Sequence, residues 1–387
     1  MSASTTAPAS PRRPPTGPDG PKRRRGGAGR AEAIAGWVFT APTLVILGVF
    51  LAVPVLMALW VSLSDWQGVG SPFGAGVSFV GGKNYEQLLS GGSLIEQQFG
   101  TSLRNNLWYV VFVVPIQTAV ALGLALLVNR QVIRGRGFFR TAFYFPSVTS
   151  SVAITVLWLF LFSSTGAVNK ILALVGIAGP NWFNEPTGLF TAIAHGLGIQ
   201  QGPAMLTDHT MLGISYWEWL SGPSVAMCAY IIMAIFTTSG TFMLLFIAAL
   251  QNLSGDIDEA AMLDGAGSWS RFWLVTLPQL RTTLFTVLTL GLIGTWQVFD
   301  QIYTGTKGAP ANTTLTPAYL SYQASFNDQQ WGVGASIAFI LFGIIVVLTL
   351  LQRLILRDRK VSRRRMRWIE DVRPGAAGAA GTKEQHR

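Results

Sequence analysis

Six long apolar stretches constrain this chain more than any other feature. They fall at residues 37–64, 105–129, 141–163, 224–250, 282–304 and 332–351. Each is long enough to cross a roughly 30 Å hydrocarbon layer as a helix. Five contain no Asp, Glu, Lys or Arg, and the exception, the fifth, has only Asp300 near one end. Overall 50% of the residues are hydrophobic and 12% are charged, about half the charged share of a soluble domain. Lipid is therefore the expected solvent for much of the chain. In lipid the backbone must satisfy its own hydrogen bonds, so the runs read as six transmembrane helices of an all-α membrane protein. Pro42, Pro54, Pro115 and Pro146 lie inside these runs. Neighbouring helices can satisfy the carbonyls they free, so they do not exclude the spans.

The basic residues set an orientation. Of 28 Lys and Arg, all but Lys83, Arg104, Lys170 and Lys307 lie in the N-terminal tail, in the second and fourth connections or from Arg353 onward. Lys and Arg collect on the cytoplasmic side. Both tails, 1–35 and 358–387, and the connecting loop 251–281 are thus expected inside. Loops 65–104, 164–223 and 305–331 are expected outside, and localisation is a multi-pass cell membrane. Trp60, Trp66, Trp108, Trp158, Trp182 and Trp331 fall near run ends or in outer loops, as interface aromatics do. The same distribution argues against nucleic acid, although the net charge is +10. Residues 1–35, rich in Pro, Gly, Arg and Ala, are expected to be disordered, and 1–30 does not read as a signal peptide. Loop 164–223 reads as an extracytoplasmic excursion carrying a surface helix. A seventh span within it would put the C-terminal Arg cluster on the wrong side. One cysteine, Cys228, makes neither an intrachain disulfide nor a thiolate metal site.

The informative connection is 251–281. Ser254 can cap a helix, and Asp256, Asp258 and Glu259 favour the positive end of its dipole. Ile257, Ala260, Ala261 and Met262 or Leu263 recur at three and four residues as one apolar stripe. Gly265 supplies a stop, and Ser268 can cap a second short helix ending before Pro278. The expectation is a helix, a glycine turn and a second helix. Its residues alone leave two readings open: a connector lying on the bilayer surface, or a docking element for a partner.

This loop resembles the EAA loop of permease subunits in binding-protein-dependent ABC importers. The matching residues are Glu259, Ala260, Ala261, Asp264, Gly265, Ala266, Leu277 and Pro278. The resemblance is closest to the carbohydrate branch and covers about residues 36–357. Phe79-Val-Gly-Gly-Lys-Asn-Tyr85, Arg134-Gly-Arg-Gly-Phe-Phe-Arg-Thr141, Phe145-Pro146, Gly179-Pro-Asn-Trp182, Gln297-Val-Phe-Asp-Gln-Ile-Tyr303 and Gly332-Val-Gly-Ala-Ser336 carry it further. Two departures stand out: Gly305-Thr-Lys-Gly-Ala-Pro310 alters the family's Gly-rich turn, and the stretch from Leu189 to Gly222 is similar to an insertion. The resemblance implies a type I ABC importer permease fold and half of a translocation pathway for sugar. The implied partners are a second permease in a heterodimer, a cytoplasmic ABC ATPase dimer and an extracytoplasmic solute-binding protein. It further implies that Glu259, Ala260, Ala261, Asp264 and Gly265 form a coupling helix and turn on the ATPase, Glu259 pairing with a basic residue there. Leu277 and Pro278 would set the junction into the fifth span.

No enzyme reading finds residues to stand on. A phosphate-cradling loop needs Gly-x-x-x-x-Gly-Lys-Ser/Thr. The nearest imitation, Val77-Ser-Phe-Val-Gly-Gly-Lys-Asn84, lacks the first Gly and the hydroxyl residue. ATP hydrolysis is expected on a partner, with no cofactor on this chain. His195, His209 and His386 have no metal-ligand spacing. Asp300 is a functional candidate because a charge near a span is costly. With Trp296, Gln297 and Gln301 it is expected to line a sugar path, Gln297 and Gln301 sharing one helical face. The alternative is that Asp300 reaches the headgroups or pairs with another helix. Thr237, Thr238, Ser239 and Thr241 fit either a pathway or ordinary helix packing. The Arg363-Arg-Arg-Met-Arg367 cluster reads as an anchor at the anionic inner surface, on the order of 1 kcal/mol per charge. Alternative cargoes are a phosphorylated polyol or a polyamine. An ion-coupled secondary transporter would need intramembrane ionisable groups and repeats, and only Asp300 is available.

Overall fold

The computed structural model describes residues 28–129, 135–199 and 202–356. The expected tail up to residue 27, Arg134, and the C-terminal tail with its Arg363–Arg367 cluster and His386 lie outside the described residues. The described residues fall into two compact units, divided between Ala58 and Leu59.

The first unit holds helix α1 (Ala28–Leu47), a π turn (Gly48–Ala52) and the start of α2 (Val53–Ser62). Disorder was expected through residue 35, but the helix begins at Ala28. The Ala-rich segment before Trp37 has good helix propensity, and a long apolar helix downstream removes the cost of nucleating it. Pro54 has no N–H to give the turn before it. The π turn accommodates this: the Val53 N–H reaches back five residues to the Gly48 carbonyl.

The second unit continues with α3 (Lys83–Leu89), α4 (Leu94–Asn129), α5 (Arg136–Val148) and α6 (Ser151–Leu161). A stretch of short elements follows: α7 (Ala167–Leu174), α8 (Leu189–Gly196), α9 (Ala204–Thr207), a hairpin of β1 (Thr210–Met211) and β2 (Ile214–Ser215), and α10 (Tyr216–Leu220). The hairpin is antiparallel, Thr210 facing Ser215. Then come α11 (Val225–Gln251), α12 (Gly255–Leu263), α13 (Ser268–Arg271), a π turn (Phe272–Thr276) and α14 (Leu277–Gln279). The unit closes with α15 (Arg281–Trp296), α16 (Asp300–Thr304), α17 (Pro317–Tyr322) and α18 (Trp331–Leu356).

By length and composition five helical stretches can cross a membrane: Glu32–Ser62, Leu94–Asn129, Val225–Gln251, Arg281–Thr304 and Trp331–Ile355. They fall on five of the six predicted runs, and α4 starts well before the expected Asn105. The remaining run, 141–163, is expected to be one span. It is instead α5 and α6, meeting at 98°. Pro146 removes a backbone donor in the last turn of α5. Thr149 and Ser150 then leave the helical region, with ψ of 147° and 130°. Thr149 Oγ1 donates to Phe145 O, the carbonyl that loses its helical partner at the bend, and Ser147 Oγ donates to Tyr144 O. Counted as one bent span, the pair makes six.

Packing centres on α4 against α11. Ala121 and Ala125 of α4 are fully buried beside Phe242, Met243 and Phe246 of α11. Small residues let helices approach closely where lipid gives no hydrophobic drive. Across the other face of α11, Gly240 meets the α5 backbone: a Cβ there would lie 2.2 Å from Phe143 O. Toward the far end a larger core joins Phe99, Tyr109, Met227, Tyr230, Ile302, Leu320 and Ile337. The 164–223 stretch packs on the first turns of α4. Trp108 Nε1 donates to Trp219 O at 2.9 Å, and its ring stands edge-on to Phe190. Its described helices run eight residues or fewer.

Candidate functional site: an exposed loop and an uncharged cavity

The loop after α11 folds as a helix, a turn and a second helix. Ser254 is the N-cap of α12, but its side chain makes no capping bond. Asp256 and Asp258 occupy the first turn, favourable to the helix dipole. The turn is a Schellman motif: the Ala266 N–H bonds Ala261 O, and the Gly265 N–H bonds Met262 O, both at 3.0 Å. Gly265 sits at φ +78°, a conformation that costs a side-chain-bearing residue roughly 1–2 kcal/mol. An added Cβ would meet nothing of this chain within 4 Å. The second helix is capped by Gly267 rather than by Ser268, which is its first residue. Arg271 Nε lies 3.6 Å from Asp258 and ties the two helices together.

Helix α13 runs through the π turn into Pro278. Leu277 donates to Phe272 O, five residues back, and Pro278 then stands in the short α14 before α15. The shift in register accommodates the missing proline donor, as at Pro54. Leu277 and Pro278 therefore occupy the junction into the fifth long helix. Glu259, Ala260 and Asp264 are exposed, and Ala261 is half-buried. The apolar stripe does not turn to this chain's own core: Ile257 and Met262 are each 49% exposed and Leu263 is 89% exposed. Trp269, Trp273 and Leu274 are exposed beyond the turn.

The second feature lies between α4, α5, α6, α11, α15 and α16. A cavity of about 280 Å³ opens at the α5–α6 bend, lined by Pro146, Ser147, Thr149, Ser151, Thr237, Thr241 and others. A second, of about 140 Å³, is lined by Tyr109, Gln117, Gly291, Gly294 and Thr295 among others. The two share Thr237, Thr238, Phe242 and Gln301. No lining residue of either carries a formal charge. Thr237 Oγ1 donates back to Met233 O, and Thr238 Oγ1 lies 2.5 Å from Gln117 Oε1.

The four predicted path residues do not stay together. Helix α15 ends at Trp296 and α16 restarts at Asp300, so the 3.6-residue period does not carry across 297–299. Gln301 lines both cavities. Gln297 lines a different one of about 370 Å³, with Phe299, Ala318, Ser321 and Phe342. Gln297 and Gln301 thus share no face. Trp296 is buried at 3% exposure among Val110, Val114, Leu341 and Ile345, and its carbonyl accepts from Asn106 Nδ2. Asp300 is exposed in the first turn of α16 and lines none of the three cavities. Sequence reasoning missed Gln117 and the α5–α6 bend. The available signals were a lone amide midway along an apolar run, and Pro146 followed by Ser147, Thr149, Ser150 and Ser151.

A helical bundle of apolar spans, with an uncharged polar cavity inside and an exposed helix–turn–helix between its spans, fits the class of membrane transport components. Residues 117–361 match the family of binding-protein-dependent transport system inner membrane components, and the chain belongs to that family. It is 32% identical to the lactose transport system permease protein LacF of Rhizobium radiobacter, over 84% of this chain and 95% of that one. It is 28% identical to the probable starch degradation products transport system permease protein AmyD of Thermoanaerobacterium thermosulfurigenes, over 84% and 94%. Its fold is similar to a chain in the crystal structure of a bacterial ABC transporter involved in the import of the acidic polysaccharide alginate. The TM-score is 0.62 and the identity 18%, with 86% of this chain and 99% of that chain covered.

Proposed function

We propose that this chain forms half of the pathway of an ATP-driven importer whose cargo is an uncharged sugar. The observation that carries the cargo class is the lining of the shared cavity. Its walls present hydroxyls and amides, Thr237, Thr238, Gln117 and Gln301, without an ionisable carboxylate, ammonium or guanidinium. Leaving a buried polar group unpaired costs about 1–3 kcal/mol. A cargo of many hydroxyls supplies the missing partners, whereas a charged cargo would enter without a counter-charge. The relatives named for lactose and for starch degradation products support this reading over an acidic polymer.

Energy would come from a separate ATPase pair seated under Glu259, Ala260, Ala261, Asp264 and Gly265. The exposed apolar stripe of α12 supports that reading, because a helix face turned away from its own core is ready for a partner. The charge distribution supports placing this loop and both tails in the cytoplasm. A second permease would complete the pathway, with a solute-binding protein delivering cargo from outside.

The test is uptake by proteoliposomes holding this chain, its partner permease, its ATPase and its binding protein. Lactose or maltose should be accumulated with ATP hydrolysis. Preference for a polyamine or a phosphorylated polyol over both sugars would refute the assignment of cargo.

A further inference from the structure

Gln117 stands midway along α4, where its only polar neighbour between Val110 and Val128 is Thr118, whose hydroxyl donates to Val114 O. It is 1% exposed. Its Oε1 lies 2.5 Å from Thr238 Oγ1 of α11, and its Nε2 has no hydrogen-bond partner. That nitrogen lies beside α15 at Gly291, where a Cβ would come within 2.5 Å of it. Gln117, Thr238 and Gly291 all line the smaller cavity. The absent side chain at Gly291 therefore leaves room for the amide at the cavity wall.

The proton count sharpens this. Thr238 has one hydroxyl proton and two acceptors within reach, Gln117 Oε1 and Ala234 O at 2.6 Å. If the proton goes to Gln117, the amide NH2 is left at the wall as an unmet donor. If it goes to Ala234, the amide turns over to donate to Thr238 Oγ1, and its carbonyl is left as an unmet acceptor. Either way one amide atom is buried without a partner. A hydroxyl both donates and accepts, so it satisfies either arrangement. A carboxylate or an ammonium satisfies one only, and brings a charge into an uncharged site.

We propose that Gln117 is a solute-binding residue of the path, hydrogen-bonding through its free amide atom to a hydroxyl of the cargo. This rests on the reading of the cavity as a sugar path. Thr238 is then a positioning residue, which holds the amide edge toward the cavity.

The test uses the complete transporter with lactose and maltose as probes. Gln117→Leu keeps the bulk and removes the hydrogen bond. It should raise KM about tenfold, equivalent to about 1.4 kcal/mol, with the maximal rate within about threefold. An unchanged KM in a transporting complex overturns the proposal and leaves Gln117 as a brace between α4 and α11. If the unmodified complex takes up a polyamine or a sugar phosphate but neither sugar, the sugar reading falls, and this inference with it. Should Gln117→Leu fail to assemble, Gln117→Cys in a Cys228→Ala background answers the same question. Saturating sugar should slow its reaction with 2-aminoethyl methanethiosulfonate at least threefold. Labelling without protection, or no labelling where Thr237→Cys labels, overturns the proposal.

Discussion

Replacing Gly265 separates two reasons for a glycine at the turn between α12 and α13. The first is conformational. At φ +78° an alanine costs roughly 1–2 kcal/mol. The Schellman turn would then be populated about five- to thirtyfold less against its alternatives. The second is steric, and lies outside this chain. A Cβ at Gly265 meets nothing of its own within 4 Å, and the neighbouring residues of α12 are exposed. Asparagine takes the left-handed conformation more readily than alanine but carries more bulk. If backbone strain alone sets the requirement, Gly265→Asn should couple better than Gly265→Ala. If a partner surface closes over the turn, Gly265→Asn should be the worse of the two. The absence of any internal contact leads us to expect the second order, with Gly265→Ala lowering uptake at least fivefold. The assay is sugar uptake and ATP hydrolysis by the reconstituted complex, with copurification of the ATPase. Membrane insertion should be normal in both variants, since a side chain at Gly265 would meet nothing of the spans. Uptake within twofold of the unmodified complex for both would refute the coupling role.

Gly240→Ala should cost about 1–3 kcal/mol of stability, because the new methyl would lie 2.2 Å from Phe143 O and must push α5 off α11; the thermal unfolding midpoint in detergent reads this, and an unchanged midpoint would contradict the close approach. Asp300→Asn should alter sugar KM less than twofold, since the carboxylate is exposed and lines none of the three cavities; a tenfold change measured in the same uptake assay would return Asp300 to the path.

The coupling loop was legible because its structure is local. Ser254 at the cap position, acidic residues in the first turn, an apolar stripe and Gly265 eleven residues after the cap specify a helix and its stop within one stretch of backbone. Even there the side-chain details differed. Ser254 makes no capping bond, and Gly267 rather than Ser268 caps the second helix. The cavity was legible only in part. The Thr237, Thr238 and Thr241 cluster and Gln301 stood out as polar residues in apolar runs, but the partner of Thr238 lies 121 residues away on α4. A continuous helical period puts Gln297 and Gln301 on one face, but the helix breaks at 297–299 and the two line different cavities.

By itself the sequence determined the solvent, the long helical runs and the family. Long uncharged runs demand helices in lipid, and the Glu259–Pro278 pattern identifies the kind of transport component. Tertiary structure decided what faces what. The bend at Thr149 and Ser150 opens the cavity of about 280 Å³, the gap at 297–299 separates Gln297 and Gln301 into different cavities, and the close packing of α4, α11 and α15 leaves Gln117 with one hydrogen bond unmade. The reason is physical. Helix formation follows from bonds between residues four apart, whereas a site in a helical bundle is built from side chains on separate helices. Their rotation and spacing are set by packing among all of them.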